Sequence, residues 1–160
     1  MTSLAELYLK PGHLIRRAHQ ISWALFLEEC ADHNVTPVQY AALVAIGQHP
    51  GIDATRLSAL IAFDRSTTGN VLERLEKRGL ISRDRSAGDR RQKLLQLTAD
   101  GAALLVVCRA GVERVQTRLL ERLSPPDRTA LTTMLATIVD AGGDDAPASG
   151  DTRRVAPSRE

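Results

Sequence analysis

Aromatic residues are scarce in this chain: two Phe, two Tyr and one Trp, 3% of 160 residues. Leu, Ala, Val and Ile must therefore fill whatever core it forms. Cysteine is limited to Cys30 and Cys108, too few for a disulfide framework. No apolar run approaches the roughly 20 residues that a membrane-spanning helix needs, and Met1 to Lys10 lacks the apolar segment of a signal peptide. The expectation is a cytoplasmic protein with no membrane partner. There is no glycine-rich phosphate loop, no G-x-S-x-G elbow and no H-E-x-x-H pair. The four histidines, His13, His19, His33 and His49, show no paired metal-ligand spacing. These absences argue against an enzyme and give no reason to expect a cofactor or a metal.

What is present is apolar enough to fold. At 43% hydrophobic residues the chain is not broadly disordered, and its length suits one domain with a modest core. The net charge of +2 is too small to argue for a nucleic-acid partner, but its distribution is uneven. Between Ala62 and Lys93 stand nine basic and five acidic residues, so the remainder of the chain is net negative. A local basic patch is the footprint of a phosphate binder.

Periodicity divides the chain into helices and one hairpin. Pro11 to His33 reads as a long helix, with Leu14, Ala18, Ile21 and Leu25 on one face. Thr36-Pro37 opens a second, with Ala41, Leu43, Val44 and Ile46 apolar, and His49-Pro50-Gly51 ends it. Asp53 caps a short helix from Ala54 to Ile61, whose Leu57, Leu60 and Ile61 should point inward. Ala62-Phe63 turns, and Asp64 caps the next helix, with Val71, Leu72 and Leu75 as its buried stripe and Gly79 as its stop. Two strands follow, Leu80 to Ser82 and Leu94 to Leu97, around a turn at Ser86 to Asp89. Thr98 caps a long helix to about Arg122, carrying Leu105, Val112, Val115 and Leu119. Ser124-Pro125 starts a last helix with Leu131, Met134, Leu135 and Ile138 on its apolar face. Residues 141–160 turn to Gly, Asp, Ser, Pro and Arg and read as a disordered tail. Residues 1–10 form an N-terminal arm, and 11–140 the folded part: a DNA-binding lobe at about 36–98, flanked by dimerisation helices at about 11–33 and 98–140. The class is mainly α with a small β-wing, a winged helix-turn-helix. The long terminal helices carry more apolar surface than one small lobe needs, and a second copy is the simplest partner; bundling within one chain is the alternative.

The helix after Asp64 begins with Arg65, Ser66, Thr67, Thr68 and Asn70. The N-terminal part of a recognition helix is what approaches base edges. Arg pairs with guanine, Asn with adenine, and Ser and Thr serve bases or phosphates. Arg74, further along, could reach the backbone, and the helix N-terminal amides favour a phosphate. A capped, solvated surface helix would look similar. The hairpin tips the balance, because Arg83 and Arg85 precede its turn and Arg90 and Arg91 follow it.

Asp89, Arg91, Leu95, Leu97 and Thr98 fit the pattern D-x-R-x-x-x-[VL]-x-L-T. This resembles the wing signature of the multiple antibiotic resistance regulator (MarR) family, and Leu72, Leu75, Gly79, Leu80 and Ile81 resemble its helix-to-wing passage. The resemblance runs from roughly Leu14 to Val139. It implies a homodimer with interlocked terminal helices that binds a pseudo-palindromic operator in double-stranded DNA. Ser66 to Asn70 would lie in the major groove and Arg90 or Arg91 at the minor groove, with Asp89 positioning the wing arginine.

The resemblance also implies a small aromatic carboxylate or phenolic effector that would release a repressor from DNA. Arg16, His19, Gln20 and Trp23 fall near one helical stripe, and Tyr40 could join them: a cation and an imidazole for a carboxylate, a flat ring for a ring. Trp23 as plain core, with Arg16 and His19 on the surface, is the competing expectation. Some relatives sense peroxides through a cysteine in the first helix. Here Glu28, Glu29 and Asp32 surround Cys30 and should slow its oxidation, while Cys108 looks like a core thiol. Glu29 and His33, four apart, make only a fragment of a metal site. The rivals to an effector-released repressor are a DNA-binding protein without an effector, a redox-sensing regulator using Cys30, and a helical module whose basic hairpin binds a protein.

Overall fold

The computed structural model describes residues 3–85 and 93–143. The chain forms two units, Met1–Leu123 and Ser124–Glu160. The first holds α1 (Leu4–Tyr8), α2 (Pro11–Glu29), a 3-10 turn (Ala31–His33), α3 (Pro37–Gln48), α4 (Ala54–Leu60), α5 (Arg65–Lys77), β1 (Ile81–Arg85), β2 (Lys93–Leu97) and α6 (Ala99–Leu120). The second holds α7 (Pro125–Gly143).

One device starts most of these helices. A side-chain oxygen at the N-cap accepts from a backbone amide that the first turn leaves unpaired. Thr36 does so for Gln39, Asp53 for Thr55 and Arg56, Asp64 for Thr67, and Thr98 for Gly101. Gln39 returns the bond to the Thr36 amide, completing a capping box. Ser3 and Glu6 form a second box, so the expected N-terminal arm contains a short helix. The end of α5 is equally specific. Gly79 takes a left-handed backbone (φ 70°), its amide donates to the Glu76 carbonyl at 2.9 Å, and Leu80 donates to Leu75 at 3.0 Å. This double bond closes the helix and aims the chain into β1.

β1 and β2 pair antiparallel, from Ile81 opposite Leu97 to Arg85 opposite Lys93. Ile52 adds a single bridge to Leu95, with the two backbones exchanging bonds of 2.9 Å around Gly51 and Ile52. The loop before α4 is thereby tied to the hairpin. Ala42, Leu43, Ile46, Ile52, Leu57, Leu72, Leu75, Leu80, Ile81 and Leu95 form the core of this lobe. A second cluster, Phe26, Cys30, Val35, Cys108 and Val115, packs α2 on α6. That contact is close: a Cβ on Gly111 would stand 2.7 Å from the Glu29 carbonyl oxygen.

Two expectations change. The first long helix stops at Glu29, not His33; Cys30 leaves helical geometry and Asn34 reverses the chain in the left-handed region (φ 48°), which asparagine tolerates. Leu60 is 56% exposed, whereas Ser58 is buried. The core lies on the Leu57–Ile61–Ser58 side of α4, and Ser58 becomes compatible with burial by donating to the Ala54 carbonyl. Leu14 (51% exposed) and Ile21 (51%) on α2, like Met134 and Ile138 on α7, stand exposed among the described residues, in line with the apolar excess expected of the terminal helices.

Candidate nucleic-acid interface

The turn between α4 and α5 sets the pose of α5. Ala62 adopts a left-handed backbone (φ 54°), and the Phe63 amide bonds the Ser58 carbonyl at 3.1 Å. Asp64 then caps α5: its carboxylate accepts the Thr67 amide at 2.8 Å and the Thr67 hydroxyl at 2.6 Å. These two bonds, the hydroxyl first, hold the Asp64 carboxyl below its ordinary value. The amide that was expected to favour a phosphate is therefore already satisfied by a carboxylate, and this end of α5 presents negative charge rather than an open anion site.

The two faces of α5 differ sharply. Thr68, Leu72 and Leu75 are buried, while Arg65, Ser66, Gly69, Asn70 and Arg74 are exposed. Ser66, Asn70 and Arg74 recur at intervals of four and line one stripe. Thr68 does not belong with them. It is fully buried, and its hydroxyl makes no hydrogen bond among the described residues, so it is a packing residue rather than a base reader. Thr67 is half-buried and committed to Asp64. Glu73 on the exposed face is neutralised by Lys77 at 2.8 Å. Gly69 faces outward in mid-helix, and a Cβ there would meet nothing within 4 Å.

The hairpin packs on the far end of the same helix. Arg83 pairs with Glu76 at 2.8 Å, which assigns this arginine to α5 rather than to a ligand. Asp89, Arg90 and Arg91, named from the sequence for the wing, lie outside the described residues. Arg56 on α4 escaped notice in the sequence; its signal was its place in the first turn of a helix preceding a recognition helix, where the DNA backbone passes in this motif. It is exposed and lines an open cavity of about 520 Å³ with His49, Pro50, Ile52 and Leu60.

This order of helices, the capped turn and the hairpin after Gly79 make a winged helix-turn-helix, and the comparisons agree. Residues 35–93 match the model of the MarR family. The transcriptional repressor NicR of Pseudomonas putida is 30% identical over 130 residues, spanning 81% of this chain and 82% of the relative. The chain belongs to the MarR family. Among solved structures, the transcriptional repressor CouR bound to a 23-mer DNA duplex is 34% identical with a TM-score of 0.79, covering 87% of this chain and 99% of that one. BpsR of Bordetella bronchiseptica, whose DNA binding is regulated by 6-hydroxynicotinic acid, is 31% identical with a TM-score of 0.76, covering 81% and 98%. DNA binding and transcription regulation are the business of this family.

Of the residues expected at an effector site, Arg16, His19, Gln20 and Trp23 lie along α2 and Tyr40 on α3. His19 meets Trp23 edge-on, ring centroids 5.9 Å apart. Arg16 is exposed and turns to His13 at 3.5 Å. Gln20 is exposed beside them. Tyr40 packs on Phe26 at 5.8 Å, in the α2–α6 cluster, where burial raises its pKa. No helix among the described residues is long and apolar enough to cross a membrane.

Cys30 and Cys108 are both buried and belong to the same cluster between α2 and α6. Burial is the main cause that pushes the Cys30 thiol up, with Glu29 adding and Arg114 opposing, so the carboxylates named from sequence are a lesser cause. The Cys108 thiol is pushed up to about 11, again chiefly by burial. Glu29 is taken by Arg114 (2.5 Å) and Arg118 (2.7 Å), which removes it from any pairing with His33 toward a metal.

Proposed function

We propose that this chain is a homodimeric repressor that binds a pseudo-palindromic operator and leaves it when a small aromatic acid binds. The observation that carries the DNA reading is the two-faced α5: Leu72, Leu75 and Thr68 anchor it, and Arg65, Ser66, Asn70 and Arg74 stand clear on the other side. An arginine and an asparagine there read guanine and adenine edges, Ser66 takes a base or phosphate, and Arg74 with Arg56 neutralises the backbone. Arg90 and Arg91 act at the wing, with Asp89 holding them.

Dimerisation is supported by the uncovered apolar residues of α2 and α7, since exposed Leu14, Ile21, Met134, Ile138 and Val139 are costly to leave in water. Effector release is supported by the regulation of BpsR by 6-hydroxynicotinic acid. Arg16, His19 and Trp23 on α2, with Tyr40, remain the residues of choice for a carboxylate and a ring. On this reading the pocket would be completed across the dimer.

Selection from a random duplex pool tests the first part. Enrichment of a palindromic sequence at moderate salt is expected; no enrichment would refute the operator reading. A thermal-shift panel of aromatic carboxylates, followed by gel shift on the selected duplex, tests the second. A ligand that raises the melting temperature should also release DNA. If none does, the rival of a DNA-binding protein without an effector is the better description. Sizing by light scattering tests the dimer.

A further inference from the structure

The turn between α2 and α3 is held from two sides. On one side it abuts α6, where Cys30 meets Cys108, the Glu29 carbonyl crowds Gly111, and the Glu29 carboxylate takes Arg114 and Arg118. On the other side it meets the Arg78 side chain at the end of α5. The Arg78 guanidinium donates through Nη1 to the Asn34 carbonyl at 2.6 Å and through Nη2 to the His33 carbonyl at 3.2 Å. Arg78 is the C-cap residue of α5, immediately before the Gly79 reversal.

The geometry is specific at both ends. Asn34 reverses the chain in the left-handed region, which leaves the last carbonyls of the 3-10 turn without helical partners. Such carbonyls carry partial negative charge and suit a cation. A planar guanidinium that engages two of them fixes direction as well as distance, which an ammonium cannot do. At the amino end of Arg78 the backbone is also fixed: its own amide bonds Arg74, and the Gly79 amide bonds Glu76. The base-reading residues of α5 lie toward its other end, so a small change of tilt at Arg78 is magnified along the helix before it reaches Ser66 and Asn70.

We propose that Arg78 is a positioning residue for DNA recognition: its fork onto the His33 and Asn34 carbonyls sets the tilt of α5 and carries motion of the α2–α6 contact to the recognition helix. The proposal rests on α5 being the helix that reads DNA. It assigns Arg78 no contact with DNA, although it is an exposed arginine in the basic segment, because the two carbonyls already fix the direction of its guanidinium.

The test compares Arg78→Met, which keeps length and loses the donors, with Arg78→Lys, which keeps charge and loses the fork. The probes are the duplex selected by the parent protein, sheared genomic DNA, and versions of the duplex with half-sites moved one base pair apart or together. Failure of the parent to select any duplex would refute the α5 reading itself. Given a selected duplex, Arg78→Met should lower affinity for it about tenfold. Affinity for sheared DNA and the salt slope should stay at the parent's values, and the penalty for altered half-site separation should shrink. Arg78→Lys should recover only part of the loss. A salt slope reduced by about one phosphate would make Arg78 a backbone contact and overturn the proposal. So would full recovery in Arg78→Lys, unchanged selective affinity in Arg78→Met, or circular-dichroism melts showing both variants unfolded at the assay temperature, since the arginine would then be a folding residue only.

Discussion

Gly69 is the residue of α5 that its own chain does least to explain. It is the fifth residue of a 13-residue helix, far enough in for the full propensity cost to apply, and glycine there costs about 1 kcal/mol relative to alanine. Packing does not demand it, because an added Cβ would meet nothing within 4 Å, and its φ is not in the left-handed region. A Gly69→Ala variant should therefore be more stable. Spread over a unit of this size, about 1 kcal/mol corresponds to a rise in Tm of roughly 4 °C. The methyl group would stand on the exposed face between the Arg65 and Glu73 positions, where the helix is proposed to approach DNA. If the groove is packed against that backbone, one extra methyl should cost about 1–3 kcal/mol in the complex, a loss of roughly five- to 150-fold in affinity. No charge changes, so the salt slope should be the parent's. Calorimetry and fluorescence anisotropy on the selected duplex read the two effects separately. The reasoning fails if Tm rises while affinity is unchanged, because the face would then not be seated in the groove. It fails differently if Tm falls, because glycine would then have a structural purpose.

Three further outcomes follow from contacts elsewhere in the first unit. Gly111→Ala should destabilise the fold by about 1–3 kcal/mol, since the methyl meets the Glu29 carbonyl at 2.7 Å; a denaturant midpoint at or above the parent's would contradict the tight α2–α6 contact. Glu29→Gln should lower Tm near neutral pH. The Glu29 pKa is depressed from its ordinary 4.5 by Arg114 and then Arg118, so its stabilisation is full above that value and is lost as pH falls through the folded one. The gap between parent and variant should accordingly close in acid, and a gap that widens there would reverse the argument. Both thiols should react slowly with a thiol reagent at pH 8 in the native protein and fast in denaturant, because each is buried with a raised pKa. Rapid reaction of Cys30 in the native state would restore the redox-sensing reading.

The local grammar of this fold was readable because it is written in residues with local mechanisms. Thr36, Asp53, Asp64 and Thr98 cap the helices they were expected to cap, and Gly79 stops α5 with the left-handed turn its identity implied. Periodicity found apolar faces but not the direction of the core. Leu57, Leu60 and Ile61 share a face by spacing, yet only 60° of rotation separates a buried Leu57 from an exposed Leu60, and the choice depends on α5 and the hairpin, far along the chain. The same rotation buries Thr68, which sits among base-reading candidates in sequence and among leucines in space. The faces of α2 and α7 were read as apolar and carry exposed Leu14, Ile21, Met134 and Ile138 among the described residues, which one sequence carries only as an excess.

The site was legible in proportion to how local its parts are. Five residues between Arg65 and Asn70 announced the candidate recognition helix, and the wing announced itself by charge and spacing. What stayed hidden was every contact joining distant segments. Arg83 looked like a wing cation and is held by Glu76. Glu29 looked like half of a metal site and is held by Arg114 and Arg118. Arg78 looked like one more positive charge and reaches the His33 and Asn34 carbonyls across 45 and 44 residues. In each case a charge counted toward a basic or acidic patch is spent inside the protein, so the patch overstates what DNA can meet. Among the described residues, Arg65 and Arg74 are the cations of α5 with no such engagement; they flank Ser66 and Asn70 on its outward face, and on the proposed reading the electrostatic grip of this helix falls on them.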